Sequence, residues 1–222
     1  MNAPAETRTD VKQRLVEAAT LLFAQRGFDG VGIREIAAAA QVNSAMVAYH
    51  FDHKEGLYQA VLRAGFEQGC GQHLPDHPIP EGPGAWAAAL QGLRAHIEAM
   101  AADLKLGEQA SELDEAFMAI LMRELGRVDS PYLPELDREF MAGKFAHLAA
   151  CIRVLRPGLS EDEVLFHCGA VSGPMLLYRF IPGVIRLRTG GRPFPPDREA
   201  LCAFLYDHTL RALGVHAPDP GA

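Results

Sequence analysis

Bond-making chemistry needs a nucleophile set beside a base, a cluster of metal ligands or a glycine-rich phosphate loop, and none of these patterns occurs in this 222-residue sequence. The stretch Gly32 to Leu57, GIREIAAAAQVNSAMVAYHFDHKEGL, offers recognition instead. Ile33, Ile36, Ala37 and Ala40 fall on one face at helical spacing. Gln41-Val42 interrupts that period, and Asn43 is suited to cap a second segment that holds Val47, His50 and Phe51. This second segment is only about two turns long. Asp52 with Glu55 three residues on reads as a capping box opening a further helix. A helix so short, followed at once by another, buries little of itself and must present its free face to a partner. The DNA major groove is wide enough to admit one helix.

Two short helices need a scaffold. Asp10 to Arg26 supplies one: Val11, Leu15, Ala18, Ala19, Leu22 and Phe23 form an apolar stripe, with Gly27 as a stop. Phe28 and Val31 are expected to close a small core with Ile36, Ala37, Val47 and Phe51. From Asp52 a fourth helix carries Leu57, Tyr58, Val61, Leu62 and Phe66 towards Cys70. HLPDHPIPEGPG, with four prolines and two glycines, then marks a junction. The spacings beyond it predict helices over 85–106, 113–126, 134–155, 160–181 and 197–213, with a Gly/Pro/Arg-rich loop over 182–196. No period-2 strand pattern and no internal repeat is present. The expectation is an all-α chain of roughly nine helices, with an N-terminal three-helix helix-turn-helix domain over 1–54 and a larger helical domain over 55–222, connected by the helix from about 52 to 70.

Apolar residues make up 49% of the chain and charged residues 22%, which is globular composition. The net charge of −7 argues against a generally basic nucleic-acid coat. The acidic excess sits away from the recognition stretch, since residues 81–142 hold five Lys/Arg against twelve Asp/Glu. The N-terminus lacks an apolar signal core, and the apolar run 164–187 is broken by Pro174, Arg179 and Pro182, so a cytoplasmic location is expected. Cys70, Cys151, Cys168 and Cys202 are widely spaced and fit reduced thiols. His73 and His77 have Pro75 between them and do not make a helical metal pair. No metal or cofactor site is expected.

IREIAAAAQVNSAMVAYHF, followed by Lys54 and Leu57 and preceded by LFAQRGFDG, resembles the DNA-binding domain of the TetR family of transcriptional regulators over about residues 10–65. The resemblance implies a homodimer that binds a palindromic operator in double-stranded DNA, most simply as a repressor, with a C-terminal helical domain that dimerises and binds a small, largely apolar effector. It places phosphate contacts on Tyr49, His50 and Lys54. Base-edge contacts fall to Asn43, Ser44, Ala45, Met46 and Ala48, and to Arg34 on the preceding helix. Gly32, Met46 and Ala48 depart from more polar residues frequent in the family.

An effector pocket in the later helices would be concave and mostly apolar. Its candidates are Trp86, His96, Met100, Phe117, Met118, Leu121, Met122, Phe140, His147, His167, Met175 and Tyr178, each of which competes with an ordinary core role. The histidines are favoured because a buried imidazole needs a partner. The helices over 161–181 and 197–213 carry more apolar surface than a monomer usually exposes and are expected at a dimer interface. Two other classes stay open: a helical protein-interaction module, and an enzyme using the C-terminal cavity.

Overall fold

The computed structural model describes residues 8–69, 79–106, 110–192, 194–195 and 197–215. Among them all regular structure is helical: α1 (Arg8–Arg26), α2 (Ile33–Ala39), α3 (Ala45–Phe51), α4 (Lys54–Gly69), α5 (Ala85–Asp103), α6 (Glu112–Leu125), α7 (Leu133–Leu136), α8 (Ala142–Leu155), α9 (Glu161–Phe180), α10 (Pro182–Arg188) and α11 (Arg198–Ala212). The all-α expectation holds. No described helix is long and apolar enough to cross a membrane. Cys151, Cys168 and Cys202 are buried free thiols, while Cys70, His73 and His77 lie outside the described residues.

Two helix boundaries differ from the sequence expectation. The helix predicted over 134–155 is split by a π-helical turn, Asp137–Met141. Phe140 and Phe145 stand five apart, a step that suits an i→i+5 turn rather than the α period. The loop predicted over 182–196 contains α10, where Pro182 occupies the first turn, a position at which the missing N–H costs nothing.

The described residues fall into two compact units. The first comprises Met1–Gln68 and Ala110–Asp137, the second Gly69–Gln109 and Arg138–Ala222. Within the first, α1 buries Val11, Leu15, Ala19 and Phe23, and α4 buries Leu57, Tyr58, Val61, Leu62 and Phe66. α1 ends where sequence places the stop, with Gly27 at φ 73°. Helix α6 packs on α1 and approaches α4 closely. A Cβ at Gly65 would lie 1.9 Å from the Phe117 ring, so only glycine fits there. The Arg123 guanidinium donates to the carbonyls of Phe23 and Ala24 at 3.0 and 3.1 Å in the last turn of α1, where the Phe23 carbonyl also accepts from the Gly27 N–H at 2.8 Å.

A buried carboxylate ties this unit together. Glu124 accepts hydrogen bonds from the Tyr58 hydroxyl and the Ser130 hydroxyl, both at 2.6 Å. Burial and the adjacent carboxylate hold the Tyr58 phenol far above its usual range. Tyr58 also packs edge-on against Phe23 and Phe28, so one side chain joins α4, α1 and α6.

In the second unit α5 packs along α8, and α9 and α11 complete the bundle. Leu93, Ile97 and Ala101 of α5 are buried, as are Leu148, Cys151, Ile152 and Leu155 of α8. Contact is close at Gly92, where a Cβ would come within 2.8 Å of the Cys151 sulfur. α9 opens on the capping box read from sequence: the Glu163 N–H donates to Ser160 Oγ at 3.3 Å and the Ser160 N–H to Glu163 Oε2 at 2.8 Å. Trp86 and Phe145, placed by period on core stripes, are exposed.

Replacing Tyr58 by Phe keeps the ring packing and strips one donor from a buried carboxylate. The expected loss is about 1–3 kcal/mol of unfolding free energy, measured by urea denaturation.

Candidate nucleic-acid interface

Helix α3 has seven residues and is positioned at both ends by turns. Upstream, α2 closes in a Schellman arrangement: the Gln41 N–H donates to the Ala38 carbonyl at 3.1 Å and the Val42 N–H to the Ala37 carbonyl at 2.9 Å, with Gln41 at φ 56°. The Asn43 side chain accepts from the Ala45 N–H at 2.8 Å, so it caps the start of α3 as its residue type suggests. Downstream, Asp52 at φ 62° turns the chain. Asp52 does not cap α4, contrary to the sequence reading. The cap is His53, whose Nδ1 accepts from the Gly56 N–H at 3.0 Å, because Asp52 is spent on the reversal between α3 and α4. Sequence gave little sign of a histidine in that role.

Only Val47 and Phe51 of α3 are buried, one turn apart, and they fix which face is free. Asn43, Ser44, Ala45 and Ala48 are exposed, and Met46 is half-buried. Tyr49 is 59% exposed, with its ring edge-on to His50 at 4.9 Å. His50 is half-buried, and its Nε2 is enclosed without a hydrogen-bond partner. Lys54 is half-buried, its ammonium 4.3 Å from the centre of the Phe28 ring.

Arg34 on α2 is exposed and its neighbour Glu35 is already engaged. Glu35 accepts from the Gly32 N–H at 2.9 Å and from the Arg26 guanidinium at 3.0 Å. The Gly32 bond first, and Arg26 second, hold the Glu35 carboxyl below its usual range. Glu35 therefore caps α2 where Gly32 has no side chain to do so, and Arg34 keeps a free guanidinium among the described residues. The Arg26–Glu35 pair was not foreseen from sequence, because nothing in a nine-residue separation marks it.

The twelve residues considered for an effector pocket do not fall in one unit. Phe117, Met118 and Leu121 are buried, and Met122 half-buried, on α6 in the first unit. The other eight lie in the second: Trp86 exposed, Met100, Phe140, His147, His167 and Tyr178 half-buried, His96 and Met175 buried. Tyr178 packs against Phe194 at 5.4 Å. A cleft of about 610 Å³ in the first unit, bordered by Arg14, Leu21, Gln41 and Leu113, is lined by none of the twelve. No group of three His, Cys, Asp or Glu among the described residues is arranged to hold a metal ion.

His96 is the unusual member. It is 5% exposed, on the α5 face that packs against α8, and neither ring nitrogen has a hydrogen-bond partner. Close by on α8, His147 Nε2 is 3.6 Å from the Cys151 sulfur. Lys144 pairs with the buried carboxylate of Asp103, whose second oxygen has no partner. Burial, then the neighbouring His147 and Lys144, push the His96 imidazole down to about 4.

A family profile described as bacterial regulatory proteins, tetR family, matches residues 15–61, which span α1 to the first half of α4. The chain carries a TetR-family N-terminal domain. The probable HTH-type transcriptional regulator YttP of Bacillus subtilis is 38% identical over 60 residues, covering 27% of this chain and 29% of that protein. The IcaR negative transcriptional regulator of the icaADBC biofilm operon in Staphylococcus aureus is 30% identical over 57 residues, 26% of this chain and 31% of that one. The chain thus spans under a third of these relatives' lengths. Beyond the TetR domain the likeness is one of fold. HlyIIR, a hemolysin II transcriptional regulator, superposes with a TM-score of 0.55 at 17% identity over 91% of this chain and 98% of its own. A transcriptional regulator from Rhodococcus sp. Rha1 gives 0.59 at 20% identity over 93% and 99%. These proteins are regulators rather than enzymes.

The buried His96 sets a pH dependence. Below its ordinary 6.5 the unfolded chain takes up a proton that the folded site refuses until about 4, so stability falls as pH is lowered through that window. The full loss is roughly 3 kcal/mol. Chemical denaturation at pH 7 and pH 4.5 measures it, and His96→Leu is expected to remove this component.

Proposed function

We propose that this protein is a ligand-responsive transcriptional regulator, a homodimeric repressor released from a palindromic operator by a small, largely apolar effector. The observation that carries the DNA-binding part is the free face of α3. A two-turn helix anchored by Val47 and Phe51 alone leaves Asn43, Ser44, Ala45, Ala48 and Tyr49 outward, beside an unpaired Arg34. Tyr49, His50 and Lys54 are the phosphate-gripping side chains, each able to donate a hydrogen bond. Arg34 reads a guanine edge with two donors. Asn43, Ser44, Ala45, Met46 and Ala48 supply short polar and methyl contacts to bases.

Reading resides in residues 1–54, and the response in the remainder. α6 and α7 belong structurally with the reading head, so that the chain passes between the two units at residues 68–69, 109–110 and 137–138. Effector binding biases two arrangements of the dimer only if it prefers one of them, since equal affinity shifts nothing. His96 supports a polar anchor within an otherwise apolar site, because both its nitrogens await partners. The exposed faces of α9 and α11 are the dimerisation surface.

Selection of bound duplexes from random DNA tests the reading, followed by affinity measurements across a salt series. Lys54→Ala is expected to flatten the salt dependence by ~1 per lost contact while weakening all sequences alike. Arg34→Ala is expected to cost about 1–3 kcal/mol of discrimination at one base pair. An unchanged salt slope for Lys54→Ala and undiminished selectivity for Arg34→Ala, together, would sink the interface; a protein-only interaction module predicts that outcome.

A further inference from the structure

Where α8 packs on α5, one turn brings a thiol and an imidazole together. His147 and Cys151 stand four residues apart on α8, a spacing that puts both on one face, and His147 Nε2 lies 3.6 Å from Cys151 Sγ. Opposite them α5 carries a glycine. The Cβ that Gly92 lacks would stand 2.8 Å from Cys151 Sγ and 2.9 Å from His147 Nε2, so only a residue without a side chain leaves these two donor atoms uncovered on the α5 side. Glycine inside a helix of 19 residues costs stability unless its place needs the space.

His96 adds an independent observation. It lies one turn beyond Gly92 on the same face of α5, is 5% exposed, and has neither ring nitrogen hydrogen-bonded. The imidazole is close enough to His147 for the charges of the two rings to interact. A buried nitrogen without a partner is a cost that a bound ion removes, and turning this ring towards an ion breaks no hydrogen bond. His147 is half-buried, which gives the cluster a side near solvent.

Thiolate and imidazole together suit Cu(I) and Zn(II). Zinc takes four ligands in a closed site, or three and a water, and no three His, Cys, Asp or Glu among the described residues are arranged around one point as they stand. Charge decides the same way. Binding breaks the Cys151 S–H bond, forms a sulfur–metal bond and releases the proton to solvent. A monovalent ion with one thiolate is neutral, and the adjacent Lys144–Asp103 pair adds no net charge. A divalent ion would leave an unbalanced positive charge in a buried place. With bonds of about 2.3 Å to sulfur and about 2.0 Å to nitrogen, an ion joined to both atoms sits off the line between them and keeps one side open for a further donor.

We propose that Cys151 and His147 hold a soft monovalent cation, Cu(I), between α8 and α5, and that the buried His96 turns to supply the third ligand. The site goes beyond the effector reading and does not depend on it. An ion on His96 leaves one imidazole nitrogen for an effector instead of two.

Anaerobic titration of the Cys70→Ser chain with Cu(I) held by the chromogenic chelator bathocuproine disulfonate tests the site. One ion per chain is expected to leave the chelator, with binding lost in Cys151→Ala and kept in Cys168→Ala. His96→Leu is expected to weaken binding by at least the roughly tenfold that loss of an outer partner costs a metal site. Undiminished binding in Cys151→Ala, or loss in Cys168→Ala, would overturn the assignment, as would equimolar Zn(II) holding the site against Cu(I). An affinity unchanged in His96→Leu would remove the third ligand. X-ray absorption at the copper edge of the parent chain needs no core variant to fold: one sulfur and two nitrogen neighbours are expected, and a shell with no sulfur or with several would overturn the site.

Discussion

A two-turn helix has no independent stability in water, because nucleation consumes more conformational freedom than so few hydrogen bonds return. α3 exists because Val47 and Phe51 are buried against neighbours and because both ends are held: Asn43 caps the start, and the reversal at Asp52 passes the chain directly to α4. The alanines at positions 45 and 48 stand outward as a consequence of this economy. Tertiary packing supplies the stability, so the free face is released from any structural duty. That freedom explains how a helix with alanines at positions 45 and 48 persists without polar contacts of its own.

Two buried polar sites, one in each unit, are paired to different degrees. In the first, Glu124 is enclosed and satisfied, with hydroxyl donors from Tyr58 and Ser130. A satisfied buried network fixes one geometry, which suits the unit that holds the short helix α3 in place. In the second, His96 is enclosed with both nitrogens open, and Asp103 is bonded through one oxygen only. A buried polar group without a partner costs free energy, and both of these lie where α5 packs on α8.

The helix-turn-helix was legible in the sequence because its signals are local. The apolar stripe of α1, the Gly27 stop, Asn43 before α3 and the Ser160–Glu163 box each depend on residues within one or two turns, and all of these occur in the structure. What could not be read depends on distant parts of the chain. Arg123 meeting the end of α1, Tyr58 meeting Glu124, and the Gly65–Phe117 approach involve separations of 52 to 100 residues. The same blindness scattered the effector candidates: α6 follows α5 in sequence and shares its apolar period, yet it packs with α1. His53 as a cap was missed for another reason, since Asp52 beside it has the stronger intrinsic preference and loses it only to the reversal.

The insertion of α6 and α7 into the first unit has a bearing on how the molecule is made. Domains generally fold as units, the N-terminal one first, while the chain is still being synthesised. Here that order is interrupted. The unit that holds α3 lacks a wall of its core until Ala110–Asp137 has left the ribosome, after the whole of α5. During that interval the faces of α1 and α4 that receive α6 stand open to water. A gene fragment cut at the end of α4 would leave them so permanently, which makes the TetR-like segment poorly suited to transplantation as a contiguous cassette.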